Sequence, residues 1–341
     1  MERPMRYAYE VYRQKSFSRA AEVLYVSQPA LSAIIRKLED SLETPLFDRS
    51  TKPVSLTPAG EYYISCAEQI MAVETGMKQY FEDVLALRTG SIRIGASTYF
   101  CSNLLPGMLH AFHELYPDIA VSVEENNSTP ALREHLTSKE IDFAVTSNTY
   151  PENDYEAISL KQEYIILCVP RENPVNGRLG QHRYTYDEIL QMLDRGICFD
   201  KIENRTPIEA FAGEKFITID KISDLYPRIL NMFREHNLTP EIVMHLQQMS
   251  SCYYMAANGF GSAFLRSSTL QTVRDTNSLF FYFLDTPYAT RNSRLYYKKG
   301  VYVSRAMQAF MDWVSSDGNR NCWQTVSGCA GQNGDCGQTD G

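Results

Sequence analysis

The chain has 341 residues, 44% of them hydrophobic, and a formal net charge of −8. That length and composition predict two or three globular domains and exclude a fibrous or largely disordered protein. The acidic balance alone argues against nucleic-acid binding, but residues 1–60 hold nine Lys/Arg and seven Asp/Glu while the rest hold 24 and 34. A weakly basic N-terminal segment can bind DNA locally while an acidic body repels non-specific contact.

Further features concern the location of the protein. The N-terminus, MERPMRYAYEVYRQKSF, is charged and helical in pattern, unlike a signal peptide. No apolar run of about eighteen residues occurs, so no membrane span or membrane partner is predicted. Scattered cysteines in apolar surroundings are typical of reduced thiols in a cytoplasmic protein. These cysteines are Cys66, Cys101, Cys168, Cys198 and Cys252.

The first predicted elements are three helices. Residues 4–14 form the first, and the segment SFSRAAEVLYVSQPALSAIIRKLE, residues 16–39, then has the pattern of a helix-turn-helix. Ser27 is placed to cap its second helix, and Pro29 fits that helix's first turn. The apolar stripe of this second helix is Leu31, Ile34, Ile35, Leu38 and Leu42.

The other face of this second helix begins with small and polar side chains and continues with cations. A recognition helix needs that order, because its N-terminal residues meet base edges and its cations meet phosphates. Gln28 and Ser32 are the best base-reading candidates, since Gln pairs bidentately with adenine. An ordinary amphipathic hairpin fits the same pattern. The full predicted DNA-binding set is Ser27, Gln28, Pro29, Ala30, Ser32, Ala33, Arg36, Arg49 and Lys52.

The next segment predicts a two-stranded wing, in which residues 46–49 and 54–57 flank a basic tip. With PLFDRS and VSLTPAG following the helix-turn-helix, this region resembles the winged helix-turn-helix of LysR-type transcriptional regulators. The resemblance implies an α/β effector-binding domain with two lobes, similar to periplasmic binding proteins. It also implies a small-molecule effector between the lobes and a double-stranded DNA operator as partners.

A long linker helix is predicted from Thr57, its cap, and Pro58, its first residue, to about Arg88. Its apolar residues alternate spacings of three and four, which predicts a coiled-coil seam, although a helix packed on its own domain is the alternative. In the LysR-type family the equivalent helix dimerises, and the resemblance implies a tetramer built from two dimers. The predicted seam is Tyr63, Cys66, Ile70, Val73, Met77, Tyr80, Val84 and Leu87.

From residue 91 onward, strand and helix patterns alternate, which predicts a mainly parallel sheet with covering helices. Predicted strands lie near 91–95, 119–124, 141–146, 164–169, 216–220, 241–246 and 261–265, followed by a closing strand and helix in LYYKKGVYVSRAMQAFMDWV. Predicted helices lie near 103–115, 130–139, 185–194, 224–236 and 249–258.

The predicted domain limits are 1–60 for the DNA-binding domain, 58–89 for the linker helix and 91–316 for the effector-binding domain. Lobe I is expected at about 91–162 and 267–316, and lobe II at about 163–266. Residues 181–211 are longer than the usual family connection, and an alternative register puts the ligand loop of lobe II at residues 200–205. The Gly-, Asn- and Gln-rich residues 317–341 predict a disordered tail.

The predicted effector contacts lie where strands end, because ligands of open α/β sheets bind outside the carboxyl ends of strands. Ser97 and Thr98 precede a helix whose free N–H groups suit an anion. Ordinary helix capping explains any one such residue, so the prediction depends on several of them converging. The set is Ser97, Thr98, Tyr99, Ser128, Thr129, Thr146, Ser147, Lys221, Ser223 and Gln248.

No catalytic residue, metal or cofactor is predicted. His110 and His113 have a helical spacing that suits a metal, but no Glu-x-x-His or Cys partner accompanies them. Cys322, Cys329 and Cys336 in the tail lack His partners as well. No P-loop, nucleophile elbow or glycine triplet occurs. A solute-binding protein, and an enzyme with a regulatory DNA-binding head, remain the alternatives to a transcriptional regulator.

Overall fold

The computed structural model describes residues 3–84, 90–195, 201–221 and 223–316. The chain divides into two compact units. The first comprises the N-terminal helices with the short segments 134–140 and 300–305, and the second comprises the remaining elements from residue 90 onward. Several predictions lie outside the described residues: Leu87 and the Val84 side chain of the seam, Cys198, Asp200, and residues 317–341 with Cys322, Cys329 and Cys336.

The first unit contains the predicted winged helix-turn-helix. Its elements are α1 (Arg3–Gln14), α2 (Phe17–Val23), α3 (Gln28–Ser41), β1 (Phe47–Asp48), β2 (Ser55–Leu56) and α4 (Pro58–Val84). Strands β1 and β2 pair antiparallel and form the wing. The core of this unit is Tyr7, Ala8, Val11, Ala20, Ala21, Leu31, Ile35, Leu46 and Phe47. The small buried residues of α2, Ala20 and Ala21, let the three helices cross closely.

The start of α4 is fixed against the loop before the wing. Thr57 Oγ1 accepts the backbone N–H of Gly60 (3.0 Å) and donates to the carbonyl of Pro45 (2.6 Å). A Cβ on Gly60 would lie 1.9 Å from the carbonyl oxygen of Leu46. The predicted cap and first residue of the helix are therefore confirmed, and the close approach of two backbones explains the glycine.

The second unit is built on one sheet in which nine of the described strands take part, in the order β4-β3-β5-β11-β6-β9-β7-β8, with β10 also paired to β6. The strands are β3 (Ser91–Ala96), β4 (Ala120–Glu125), β5 (Phe143–Thr146), β6 (Tyr155–Pro170), β7 (Lys215–Ile219), β8 (Glu241–Leu246), β9 (Ser262–Arg266), β10 (Leu279–Phe283) and β11 (Thr290–Lys298). The parallel pairs β3–β4, β3–β5, β7–β8 and β7–β9 carry the predicted α/β character.

Helices cover this sheet. They are α5 (Thr98–Asn103), α6 (Leu105–Leu115), α7 (Thr129–Thr137), α8 (Val175–Arg178), α9 (Tyr186–Asp194), α10 (Leu225–Arg234), α11 (Met249–Ala257) and α12 (Arg305–Ser315). The extra helix predicted near 185–194 is α9, which begins with a capping box between Thr185 and Glu188. The helix predicted near 103–115 is α6, and a short helix that the sequence does not predict, α5, precedes it, with Leu104 between the two. None of the described helices is both long and apolar enough to cross a membrane.

The long strand β6 divides the unit into two lobes. Residues 155–164 pair with β11 in lobe I, and residues 165–170 pair with β9 and β10 in lobe II. The sequence places only residues 164–169 in this strand, because the preceding segment is polar and half-exposed. It omits β10 altogether and assigns residues 267–316 to lobe I. That boundary is wrong, because β10 pairs with the lobe II half of β6 and the chain returns to lobe I after it.

Each lobe has its own core. In lobe I, Phe112 packs against Phe310 and Trp313, and Phe310 also contacts Phe143. In lobe II, residues Ile165–Val169 form an uninterrupted buried run that shares one core with residues of α9, α10 and α11, as expected for a strand covered on both faces. Two separate cores joined by β6 and β11 leave a cleft between the lobes.

Candidate DNA-binding surface and ligand cleft

The start of α3 is built by its cap. Ser27 has extended backbone angles (φ −73°, ψ 144°), and its Oγ accepts the backbone N–H of Ala30 (3.3 Å). Leu31 and Ile35 are fully buried in the core of the first unit. Because these two residues fix one side of the helix, the opposite side faces outward.

The outward side of α3 carries the predicted DNA-binding residues. Gln28, Pro29, Ala30, Ala33 and Arg36 are exposed, and Ser32 is half-buried. The amide of Gln28 donates to Ser32 Oγ (3.1 Å) within the helix. This exposed bond joins the two best base-reading candidates, so both side chains can exchange it for bonds to a base edge.

Arg49 has a structural partner that the sequence does not predict. Its guanidinium pairs with Glu39 (2.7 Å) and lies 4.9 Å above the ring of Phe17. The other oxygen of Glu39 accepts the backbone N–H groups of Leu46 (2.8 Å) and Phe47 (3.2 Å). Arg49 and Glu39 therefore tie α3 to the wing, and the carboxylate offsets the charge predicted to meet phosphate.

Other cations lie beside the wing. Lys15, Arg19 and Lys52 line one groove between the end of α1 and the wing tip. The backbone N–H of Val54 donates to the carbonyl of Lys15 (3.1 Å), which holds the two sides of this groove together. Arg19 is not among the predicted DNA-binding residues. Neither is Tyr25, which is 96% exposed in the turn before α3.

The predicted seam on α4 has two parts. Tyr63 packs against the core of the first unit, and Cys66 is only partly exposed. Ile70, Val73, Met77 and Tyr80 are apolar and exposed. Among the predicted seam residues, Tyr63 thus helps to complete the core of the first unit, and the later ones form an exposed apolar face.

The cleft between the lobes has a volume of about 280 Å³. Its lining comes from the segments that follow β3, β4, β5, β7 and β8 and from the end of β9 onward. This placement agrees with the rule that ligands bind outside the carboxyl ends of parallel strands. The hydroxyl and amide side chains of the lining are Ser97, Thr98, Ser102, Asn103, Asn126, Asn127, Thr129, Thr146, Asn148, Ser223, Gln247, Gln248, Ser250, Thr269 and Thr272.

Seven of the ten predicted effector residues line this cleft: Ser97, Thr98, Tyr99, Thr129, Thr146, Ser223 and Gln248. Ser128, Ser147 and Lys221 do not. Ser128 Oγ accepts the backbone N–H of Ala131 (3.3 Å) at the start of α7, Ser147 is buried, and Lys221 is exposed outside the lining. In lobe II the lining loop contains Asp220 and Asp224, so the alternative at residues 200–205 finds no support among the described residues.

Ser97 and Thr98, predicted as equivalent, have different surroundings. The Thr98 hydroxyl donates to Glu125 and accepts from Asn127 Nδ2 (3.0 Å), and Asn127 Oδ1 accepts the backbone N–H of Thr98 (3.0 Å). Thr98 therefore joins the loops after β3 and β4. Ser97, at the cap position of α5, makes no side-chain cap bond, which leaves its hydroxyl for a ligand.

A buried charged cluster forms the floor of the cleft, and the sequence does not predict it. Arg266, at the end of β9, donates to Asp224 Oδ1 (3.2 Å) and lies 3.8 Å from Glu163 Oε2. Arg291 on β11 also pairs with Asp224. Glu163 and Arg291 are register partners on the two strands that connect the lobes. We call Glu163, Asp224, Arg266 and Arg291 the floor cluster.

Tyr99 connects lobe I to this cluster. Its hydroxyl donates to Glu163 Oε1 (2.6 Å) and contacts Ser268 Oγ. The guanidinium of Arg266 lies 3.9 Å above the Tyr99 ring. Burial raises the pKa of Tyr99, and the neighbouring Glu163 raises it further. The phenol is therefore neutral and acts as a donor at the junction of the lobes.

The carboxylate of Asp224 stays ionised despite its burial. Burial alone would raise the pKa of Asp224, but Arg291 and Arg266 outweigh it and hold that pKa below its usual value. Burial lowers the pKa of Arg291 and Arg228, yet arginine remains protonated at neutral pH. Asp224 and its two arginine partners, Arg266 and Arg291, are thus all charged.

Comparisons with known proteins agree with this architecture. The model of the bacterial regulatory helix-turn-helix protein, lysR family, matches residues 3–61, and the LysR substrate binding domain model matches residues 86–318. An uncharacterised HTH-type transcriptional regulator of Bacillus subtilis is 26% identical over 90% of this chain and 92% of its own length. A probable RuBisCO transcriptional regulator of a Nostoc species is 27% identical over 86% of this chain and 82% of its own.

Solved structures share the fold. Full-length OxyR from Pseudomonas aeruginosa superposes with a TM-score of 0.59 and 21% identity, covering 91% of this chain and 93% of its own. CbnR complexed with its target DNA superposes with a TM-score of 0.53 and 16% identity, covering 92% and 98%. Because the two family models together match nearly the whole described chain, the protein belongs to the LysR family of DNA-binding transcriptional regulators and is not an enzyme.

Proposed function

We propose that the outward side of α3 reads operator DNA, with Gln28 and Ser32 at base edges and Arg36 and Lys52 at phosphates. The observation that carries the proposal is the capped start of α3, where Gln28, Pro29 and Ala30 are all exposed. N-terminal residues of a recognition helix contact base edges in the major groove. Lys15 and Arg19, in the groove beside the wing, add phosphate contacts.

The protein acts in the cytoplasm as a dimer through the later part of α4. Four large apolar side chains exposed along one helix, Ile70, Val73, Met77 and Tyr80, support this proposal, because contiguous apolar surface marks an interaction site. Two DNA-binding units on one dimer would meet half-sites about one helical turn apart, roughly 34–36 Å. Two dimers form the tetramer that the family resemblance implies.

The effector binds in the cleft between the lobes and modulates operator binding or promoter activation. Lining residues come from both lobes, so a bound molecule contacts both. A ligand shifts the lobe arrangement by its difference in affinity for the two arrangements, and by no more than that.

DNA binding by the full-length chain tests the first part of this proposal. Gln28→Ala should reduce the preference for DNA upstream of the gene over random DNA of equal length, measured by fluorescence anisotropy. A matched control is Gln308→Ala in α12, which removes an exposed amide that also bonds four residues along its helix (Asp312, 2.8 Å). Equal loss of specific and random binding in the Gln28 variant would show that another surface reads the bases.

Sedimentation tests the oligomeric state. The double variant Ile70→Asp, Met77→Asp places charges on the apolar face and should give monomers. Leu115→Asp, at a leucine that is 60% exposed on α6, controls for a charge at any exposed apolar position. A double variant that sediments like the wild type would exclude α4 as the dimer contact.

A further inference from the structure

The cations of the floor cluster have fewer acceptors than they need. The side chains of Arg266 and Arg291 are 3% and 1% exposed. In both, Nε and Nη1 have no hydrogen-bond partner among the described residues. Buried donors without an acceptor cost free energy, because they have lost their bonds to water. Glu163 Oε2, 3.8 Å from Arg266 Nη1, is a buried acceptor without a hydrogen bond, but the four unpaired arginine nitrogens outnumber it. Arg266, which lines the cleft, therefore presents an unmet demand for acceptors at the cleft floor.

Neighbouring charges increase this imbalance. Arg228 donates to the carbonyls of Tyr288 (3.1 Å) and Thr290 (3.2 Å), and its nearby carboxylate is Asp224, which Arg266 and Arg291 already share. Lys161 lies close to Glu163 but also to Asp194, so its charge is already offset. At the floor, three guanidinium groups thus face the two carboxylates of Asp224 and Glu163. The potential at the floor favours a negatively charged group.

A second feature on the lobe II side of the cleft points to the same charge. Gln248, Met249 and Ser250, at the start of the nine-residue helix α11, all line the cleft. Gln248 makes no side-chain cap bond. The first N–H groups of an uncapped helix attract anions through their free donors and the helix dipole. Arg266 and α11 both belong to lobe II.

The rest of the lining is suited to neutral polar groups. Asn103, Asn126, Asn127 and Asn148 contribute amides from lobe I. Asp220, the other acidic residue of the lining, is half-buried, and its carboxylate accepts the backbone N–H of Lys221 (2.6 Å). Asp220 therefore already has a hydrogen-bond donor, whereas the unpaired arginine N–H groups still lack acceptors.

We propose that the effector is a small organic carboxylate whose carboxylate group lies at the cleft floor, between Arg266 and the start of α11. Its other polar groups face the amides of lobe I. The inference rests on the proposed function, since it takes the cleft as the effector site. Side-chain adjustments are common on binding, so a modest shift of Arg266 brings its donors to the ligand. Because Arg266 also stacks on Tyr99, the bound charge acts on the junction of both lobes.

Thermal unfolding of the full-length chain with matched probes tests this assignment. The probes are mono- and dicarboxylates small enough for the cleft, such as benzoate, succinate and 2-oxoglutarate, each paired with its primary amide at equal ionic strength. At least one acid should raise the Tm by about 2 °C or more at saturation, and its amide should not. The inference is overturned if no acid of the panel raises the Tm, or if the amides do so equally. Inorganic phosphate and sulfate form separate arms, and a shift with these alone overturns the carboxylate assignment.

Variants locate the binding. Arg266→Lys keeps the positive charge but removes the planar guanidinium group and its paired N–H donors. It should weaken the binding of a stabilising acid at least tenfold. Ser97→Ala leaves the floor cluster intact and should weaken the binding of the acid severalfold. This second variant keeps the test valid if the Arg266 variant folds poorly. Arg183→Lys is the matched control, because Arg183 stacks on Phe280 outside the cleft (4.3 Å). Equal affinity in the wild type, Arg266→Lys and Ser97→Ala would place the acid elsewhere and overturn the inference.

Operator binding by the same preparations separates this inference from the proposed function. Specific DNA binding without any carboxylate effect would refute the ligand class and leave the regulator function standing. Carboxylate binding at the floor without specific DNA binding would support the ligand class and refute the assignment of the α3 surface.

Discussion

The outward side of α3 and the ligand cleft are both rich in small polar residues, but they are built in opposite ways. The α3 surface comes from one continuous segment whose buried side, Leu31 and Ile35, fixes the direction of every other residue. The cleft draws its lining from six separated segments, and its charged floor joins β6, β9, β11 and the loop before α10. A recognition surface can therefore be predicted from helical spacing alone, whereas a cleft depends on which segments the sheet brings together.

The largest expected effect is in the floor cluster. Asp224→Asn leaves two buried guanidinium groups without their shared carboxylate, and breaking a buried pair costs about 3–5 kcal/mol. Urea unfolding of the full-length chain measures this loss. Asp220→Asn, in the same loop but half-buried, should change the free energy of unfolding far less. Similar losses for both variants would show that the floor cluster contributes no special stability.

The contribution of Asp224 also depends on pH in a defined direction. The pKa of Asp224 is lower in the folded chain than its ordinary value, with Arg291 and Arg266 as the cause that outweighs burial. Its stabilisation is therefore complete above the unfolded pKa of about 3.9 and disappears as pH falls through the lower folded value. The stability difference between the wild type and Asp224→Asn should be constant from pH 5 to 7 and shrink below about pH 4.

The second effect, in the first unit, concerns backbone contact instead of charge. Gly60→Ala places a methyl group 1.9 Å from the carbonyl oxygen of Leu46, which forces α4 and the wing apart. Overpacking of this kind typically costs about 1–3 kcal/mol. Gly177→Ala is the control, since nothing lies within 4 Å of its added methyl group. Thermal unfolding should show a lower Tm for the first variant only, and an unchanged Tm would mean that the two backbones can separate freely.

The third effect contrasts two adjacent residues of the cleft. Thr98→Val removes the hydroxyl that joins Glu125 and Asn127, so it should lower the free energy of unfolding by about 1 kcal/mol. Ser97→Ala should leave stability nearly unchanged and weaken ligand binding. Unfolding and ligand titration on both variants decide the matter. The reverse pattern would exchange the roles that we assign to the two residues.

The smallest effect distinguishes a phosphate contact from a structural cation. Lys52→Ala should leave the Tm unchanged and reduce the salt slope of DNA binding by about 0.9. Arg49→Ala breaks the pair with Glu39 and should lower stability by roughly 0.2–1 kcal/mol, the usual range for exposed pairs. Anisotropy at several salt concentrations and thermal unfolding measure both quantities. An equal change of salt slope for both variants would show that Arg49 also contacts phosphate.

The elements that the sequence predicts well are those with a local signal. The cap Ser27 and the first residue Pro58 of α4 follow from short-range rules, and the structure contains both. The helix predicted near 185–194 is α9. By contrast, β10 is a short buried run, LFFYF, whose pairing with β6 depends on residues more than a hundred positions away. No periodicity within the segment itself indicates that pairing.

The same reason explains why the floor cluster is absent from the predicted site. Arg266 ends a buried apolar strand, and an arginine there is unusual, because arginine is almost never fully buried unless it is paired. That signal indicates a partner without identifying Asp224, which lies 42 positions earlier. Arg291 and Glu163 are equally distant in sequence, and only the pairing of β11 with β6 brings them together. Polar residues at strand ends were predictable, whereas the charges between them required the topology.

The response of operator binding to a cleft ligand shows directly whether the cleft controls the DNA-binding surface. We would record DNase I footprints and affinities of the full-length chain on DNA upstream of its gene, with and without a saturating carboxylate that raises its Tm. We expect a sequence-specific footprint whose extent or affinity changes severalfold with the ligand, and we expect Ser97→Ala to shift this change to higher ligand concentration. Identical footprints and affinities with and without saturating ligand would contradict this expectation.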